Sequence, residues 1–339
     1  MRQLRFVIFT VFIFISCNGQ GKKDIARFTN ITACLFSQVA YCHDLQPKLD
    51  KYLPGWKVVW DAEAQNGNHA FIASDGKQYV VAIRGSVMEF SWNAFENWIN
   101  QDINIVSQED WKFSDDKDAK ISAGSYRGWQ NLITLKDKKS GRDILSFLET
   151  HTSRKTPVIF TGHSLGGNLA TVLASWFSFK MTGAGHPRDS LNVITFAAPA
   201  AGNKSFARDF DKKFPYSARI ENTADIVPKF PCKEAVSNLG NLYSSDLSAS
   251  KIYVGYKNIT MSLSEVFKAL YAAMAALEMT NYFSSFTQTN GKGTLITAKL
   301  SGNNNHSDIA SWFAEAGYQH GIAQYAATLG APVVDCDSP

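Results

Sequence analysis

Val158-Ile159-Phe160-Thr161-Gly162-His163-Ser164-Leu165-Gly166-Gly167-Asn168-Leu169-Ala170-Thr171-Val172-Leu173-Ala174-Ser175-Trp176 is the stretch that decides the fold. Its first residues, preceded by Pro157, read as a short buried strand. Gly162, Ser164 and Gly166 then fill a G-x-S-x-G pattern. Beyond it, Leu169, Val172, Leu173 and Trp176 recur at helical spacing. Strand, sharp turn and helix form the context of a nucleophile elbow. Such a turn strains the backbone of Ser164. Its neighbours two positions either side must be tiny so that strand and helix can approach. The hydroxyl then stands at a helix N-terminus, where the dipole favours developing negative charge. An ordinary Gly-rich turn is the alternative, and the flanks favour a catalytic serine.

Working outward, Ile25 to Leu45 reads as one helix with Phe28, Ile31, Leu35, Val39 and Cys42 in a stripe. Pro47 and Pro54-Gly55 read as chain breaks. Trp56 to Trp60, His69 to Ser74 and Gln78 to Arg84 are strand-like, and the turns Gly67-Asn68 and Asp75-Gly76 make them antiparallel hairpins. Met88, Phe90, Trp92, Phe95, Trp98 and Ile99 form an aromatic-rich segment, either a core helix or a lid over about 87–99. Lys112 to Lys120 reads as a solvated loop, and Tyr126 to Thr150 as a helix broken near Ser140-Gly141. Leu191 to Phe196 and Ser217 to Asn222 are further strands. Leu263 to Leu277 is an apolar helix, either cap or core. Ser307 to Ala316 and Ile322 to Leu329 read as short helices either side of Gly317 to His320. Strands alternating with helices imply a mostly parallel central sheet with antiparallel N-terminal hairpins and helices on both faces.

The chain has 339 residues, 45% hydrophobic, enough for one sizeable α/β core. Its formal net charge is +4, with basic residues scattered rather than clustered, which argues against a nucleic-acid partner. Arg2 and Arg5 precede an apolar run from Phe6 to Ile15 that is too short to span a bilayer, so residues 1–17 read as a signal peptide. Phe14-Ile15-Ser16-Cys17 resembles a bacterial lipobox with Cys17 as the lipidated residue, although Phe14 is a poor match, and 18–24 would be a tether. The expected location is an outer-membrane or periplasmic lipoprotein, held to the membrane by its N-terminal anchor, or a secreted protein. Removing Cys17 leaves Cys34, Cys42, Cys232 and Cys336, which allows two disulfides in any of three pairings. Eight residues apart in one helix, Cys34 and Cys42 stand about 12 Å apart by rise, too far to bond.

A serine nucleophile needs a histidine base, and the histidine needs a carboxylate. In α/β-hydrolases the chain order is Ser, acid, His. Asp225, just past the strand ending at Asn222, is the best acid, with a turn or capping aspartate as the plain alternative. Only His306 and His320 lie beyond it, while His163 inside the elbow reads as structural with its side chain directed away.

Together with Gly162 to Gly167, the stretches Arg84-Gly85-Ser86, Asn97-Trp98-Ile99-Asn100-Gln101-Asp102, Thr195-Phe196-Ala197-Ala198-Pro199 with Gly202-Asn203, and Asp225-Ile226-Val227-Pro228 resemble the class 3 lipases, relatives of fungal triacylglycerol lipases. The likeness runs from about Ile25 to Phe230 and includes a C-terminal histidine segment. It implies an α/β-hydrolase fold with Ser164 as nucleophile, Asp225 as acid, and the N–H groups of Ser86 and Leu165 binding the oxyanion, aided by the Ser86 hydroxyl. His320-Gly321-Ile322-Ala323-Gln324-Tyr325 resembles the family's His followed by Tyr a turn later, which favours His320 as base over His306. The family also suggests a Cys42–Cys336 bond. Ile121-Ser122-Ala123-Gly124-Ser125 departs from the family's His and aromatic around that Gly, and Leu239 to Asn305 is a longer insertion than the fungal pattern has.

The expectation is therefore a serine carboxylic-ester hydrolase over 25–339, acting on acylglycerols at a lipid–water interface without metal or organic cofactor. A phospholipase A1 or feruloyl-type esterase would use the same machinery. The rival from another class is a lipid-binding surface lipoprotein without catalysis.

Overall fold

The computed structural model describes residues 28–336 apart from 87–90, 92–93, 95–106, 184–189, 244–247, 257–258, 281–282, 291–292 and 302–307. The lid reading over about 87–99, Cys17, the tether and His306 thus fall wholly or almost wholly outside the described residues.

A seven-stranded sheet runs in the order β1-β2-β3-β6-β7-β9-β13. Its members are β1 (Lys57–Asp61), β2 (Ala70–Ser74), β3 (Tyr79–Ile83), β6 (Val158–His163), β7 (Leu191–Phe196), β9 (Ala218–Asn222) and β13 (Thr294–Ile296). The first two junctions are antiparallel hairpins, and β3, β6, β7, β9 and β13 run parallel. The sheet is thus mostly parallel with an antiparallel N-terminal edge, as the α/β-hydrolase expectation requires. β13 comes from within the long insertion and extends the sheet as its edge strand. A small antiparallel sheet joins β4 (Gln108–Asp110), β5 (Lys120–Ser122), β8 (Gly202–Asn203) and β12 (Phe286–Thr287).

Alternation along each strand splits the interior into two layers. Ile72, Val81, Ile83 and Phe160 face a core with α3 (Ala123–Thr134), α4 (Ile144–His151), α5 (Leu165–Gly183) and α6 (Lys204–Lys213). Phe71, Val80, Ala82 and Ile159 face the other side, where α1 (Asn30–Val39), α2 (Leu45–Tyr52) and α10 (Ile322–Leu329) pack. A third apolar cluster ties the loop after β9 to α8 (Leu263–Glu278) and α9 (Ile309–His320). Within it Phe267 of α8 lies 5.8 Å from the Trp312 ring of α9, so part of the apolar helix is core.

Local boundaries differ from expectation for identifiable reasons. The single helix over Ile25 to Leu45 is instead α1 and α2. Thr29 caps α1 by accepting from the Thr32 N–H, and the chain turns at Ala40-Tyr41. Pro47 does not break the chain. It sits in the first turn of α2, where a missing N–H costs no helical bond. The break in Tyr126–Thr150 runs from Leu135 to Asp143, because the Asp137 carboxylate accepts from the N–H groups of Asp61, Lys139 and Ser140 and pins a loop there. Gly317 to His320 is not a link between two helices: α9 is capped by Asp308 and stays helical to His320, stopping at Gly321. The Cys42–Cys336 bond implied by family resemblance is present, while Cys34 and Cys232 are free thiols, so the second disulfide that four cysteines allow is absent.

Candidate active site

β6 ends at His163 and α5 begins at Leu165, leaving Ser164 alone in the turn with φ of 59°. A left-handed non-glycine residue costs on the order of 1–3 kcal/mol, and here the surroundings enforce it. The Ser164 N–H donates to the Phe196 carbonyl of β7 at 2.9 Å, while its own carbonyl accepts the first helical bonds of α5 from Gly167 and Asn168. The small flanking residues are obligatory. A Cβ on Gly162 would come within 2.4 Å of the Gly166 backbone, and one on Gly166 within 2.3 Å of the Ile83 carbonyl oxygen.

Three elements bring Asp225 and His320 to this turn. Asp225 lies three residues past β9 and is fully buried. His320 is the last residue of α9, and Tyr325 lies one turn into α10. The His320 Nε2 is 2.8 Å from Ser164 Oγ, and its Nδ1 is 2.9 Å from Asp225 Oδ2. Tyr325 donates its hydroxyl to the same Asp225 oxygen at 2.8 Å, and the Val227 N–H donates to Oδ1 at 2.9 Å. The buried carboxylate thus holds three hydrogen bonds, which offset the cost of removing its charge from water. Those bonds leave Oδ2 directed at the imidazole. Burial, then the Asp225 charge, pushes the Tyr325 phenol well above its ordinary value, so it remains a donor.

Ser164, Asp225 and His320 therefore lie in one hydrogen-bonded line. Ser86 and Leu165 flank the same turn, both half-buried. Leu165 follows the serine in the chain. Gly85, next to Ser86, is packed so tightly that an added Cβ would stand 3.3 Å from Ser164 Cβ.

Contrary to expectation, the side chain of His163 is directed toward the site rather than away from it. Its ring lies 4.7 Å from that of His320, and its Nε2 donates to the His320 carbonyl at 2.7 Å. A carbonyl can only accept, so Nδ1 carries no proton and accepts from the Tyr41 hydroxyl at 2.9 Å. That hydroxyl in turn accepts from the Gly85 N–H. Burial and the neighbouring His320 push the His163 pKa down to about 3. Asn222 was also missed. Its backbone N–H donates to Tyr325 Oη at 2.9 Å and its side-chain amide donates to Gln319 Oε1 at 2.7 Å, tying β9 to both C-terminal helices. Neither role carries a local signal, because each partner lies about a hundred residues away or more in the chain.

Residues 80–235 match the family model of lipase (class 3). That stretch is similar to the class 3 lipases. The matched stretch holds Ser164 and Asp225, while His320 reaches the site from beyond it. The whole chain resembles the crystal structure of M37 lipase with a TM-score of 0.70 and 23% identity, over 90% of this chain and 96% of that one. That likeness gives the α/β-hydrolase fold. Among curated relatives, Lipase ZK262.3 of Caenorhabditis elegans is 24% identical over 245 residues, 68% of this chain and 64% of its own length. Phospholipase A1-II 6 of Oryza sativa subsp. japonica is 26% identical over 196 residues, 51% of this chain and 45% of its own. The chain thus spans about half to two thirds of the length of these two relatives.

Proposed function

We propose that the protein is a serine hydrolase of lipid carboxylic esters, with acylglycerols as its main substrates. The observation that carries this reading is the unbroken line Ser164 Oγ, His320, Asp225, with steps of 2.8 and 2.9 Å. His320 Nε2 takes the hydroxyl proton as Ser164 Oγ attacks the ester carbonyl, and Asp225 holds the imidazolium that forms. The tetrahedral oxyanion lies against the N–H groups of Ser86 and Leu165, each worth roughly 3–4 kcal/mol at the transition state. His320 then gives its proton to the leaving alcohol, and water repeats the sequence on the acyl-enzyme. Ser164→Ala is expected to abolish hydrolysis of short-chain p-nitrophenyl esters in pure protein. Activity that survives this change would remove Ser164 as the nucleophile.

A phospholipase A1 activity is the second reading, favoured by relatives that carry that name. Parallel assays on triacylglycerol and phosphatidylcholine separate the two. A lipid-binding lipoprotein without catalysis would stay unlabelled by a fluorophosphonate. The domain is taken to span 25–339, with an insertion over about 239–305. Export rests on the charged start, short apolar run and Ser16-Cys17 of the N-terminus. Among the described residues, no helix is long and apolar enough to cross a membrane. Radiolabelled palmitate is expected to enter the parent protein in a bacterial host and to be lost in Cys17→Ala. A parent that takes up none points to a freely secreted form.

A further inference from the structure

We infer that His163 is a positioning residue for His320, kept in one tautomer by Tyr41; the inference rests on the hydrolase reading above. The carbonyl of His320 ends α9, where helical carbonyls lack partners within their own helix. His163 supplies that partner through Nε2–H at 2.7 Å. One residue later in the chain, Ser164 Oγ meets His320 Nε2 at 2.8 Å. Two adjacent residues of the elbow therefore hold the same histidine, one by its backbone and one by its ring. An imidazole fixed at both ends cannot slide along β6, so the approach to Ser164 is set before substrate arrives.

The second half of the inference concerns charge. The two rings stand 4.7 Å apart and tilted by 38°, so a proton on His163 would face the imidazolium that His320 becomes in the reaction. The Tyr41 O–H occupies His163 Nδ1, the only ring nitrogen left to take a proton. The titratable groups that face His163 are His320, Asp225, Tyr41 and Tyr325. Of these only Asp225 would favour a charge there, and its carboxylate is already bound to His320, Tyr325 and Val227. Tyr41 is itself anchored by the Gly85 N–H and by the disulfide at the next residue, Cys42.

The experiment measures kcat, KM and pH profiles on a soluble p-nitrophenyl ester, normalised to sites titrated with a fluorophosphonate. His163→Leu removes the donor and is expected to lower kcat about tenfold or more while KM stays within about twofold, as for a misplaced catalytic group. His163→Gln restores an N–H near the same place and should recover most of the loss. Tyr41→Phe frees Nδ1, so its acid limb should move to higher pH. The double variant Tyr41→Phe, His163→Gln should return that limb to the parent position. A labelled parent matched by His163→Leu in kcat and pH profile overturns the inference and leaves the hydrolase reading standing. His163→Gln as impaired as His163→Leu also overturns it, since the ring would then only fill space. Should His163→Leu fail to fold, an unmoved acid limb in Tyr41→Phe is enough to reject the inference. A parent that takes no label rejects both readings.

Discussion

Protonating His163 is what its surroundings oppose most strongly. Burial acts first and the adjacent His320 second, and together they bring its pKa from 6.5 down to about 3. The unfolded chain takes up a proton near pH 6.5, whereas the folded chain does not until about pH 3. Stability from this residue is therefore full above pH 6.5 and falls by about 1.4 kcal/mol per unit as the pH drops through that window. Urea titrations from pH 7 to pH 4 should show a steeper loss in the parent than in His163→Gln. Equal slopes would mean that His163 charges freely in the folded state. Ser164 was legible from the elbow and Asp225 from its place after a strand, while chain order left His306 beside His320 and only the family resemblance favoured His320. The contact of His163 was not legible, since a residue's face toward a helix 157 positions later has no imprint on its neighbours.

At the scale of elements, the elbow depends on two backbones meeting without a side chain between them. The Cβ of an alanine at 166 would lie 2.3 Å from the Ile83 carbonyl oxygen and 2.8 Å from Arg84 carbonyl carbon and Gly85 nitrogen. These are backbone atoms of β3 and of the segment that leads to Ser86, so none can swing aside. Gly166→Ala is expected to destabilise the fold by about 1–3 kcal/mol and to displace Ser86 relative to Ser164. Fluorophosphonate labelling rates with chemical denaturation check both, and wild-type values in each would show that the strand yields. Strands were the most readable elements: β6 and β7 are mostly apolar and buried along their whole length, as expected between parallel neighbours. Helix limits were less readable, because caps such as Thr29 and Asp308 act through single hydrogen bonds that apolar periodicity does not register.

Across the whole molecule, one bond joins the ends of the described fold. Cys42 and Cys336 are 294 positions apart, with Cα atoms 4.9 Å from each other. Gln38 of α1 strengthens the junction, donating to the Pro332 carbonyl at 3.1 Å and accepting from the Val334 N–H at 2.8 Å. Closing so long a loop removes much freedom from the unfolded chain, and the chain-entropy estimate is roughly 5–6 kcal/mol. Reduction, or Cys42→Ala with Cys336→Ala, should lower the midpoint of thermal denaturation. An unchanged midpoint would show that packing of α1 on α10 suffices. The fold class was legible from alternating strands and helices. That β13 from the insertion would complete the central sheet was not, because its three residues are too few to display a pattern.

The same bond has a consequence for synthesis. Cys42 leaves the ribosome early and must wait for almost all remaining residues before its partner exists. Cys34 is already made and Cys232 is translated in the meantime, and either thiol can capture it first. Both end as free thiols in the finished fold, so any such detour has to be undone. Correct maturation therefore depends on an environment that can exchange disulfides as well as form them.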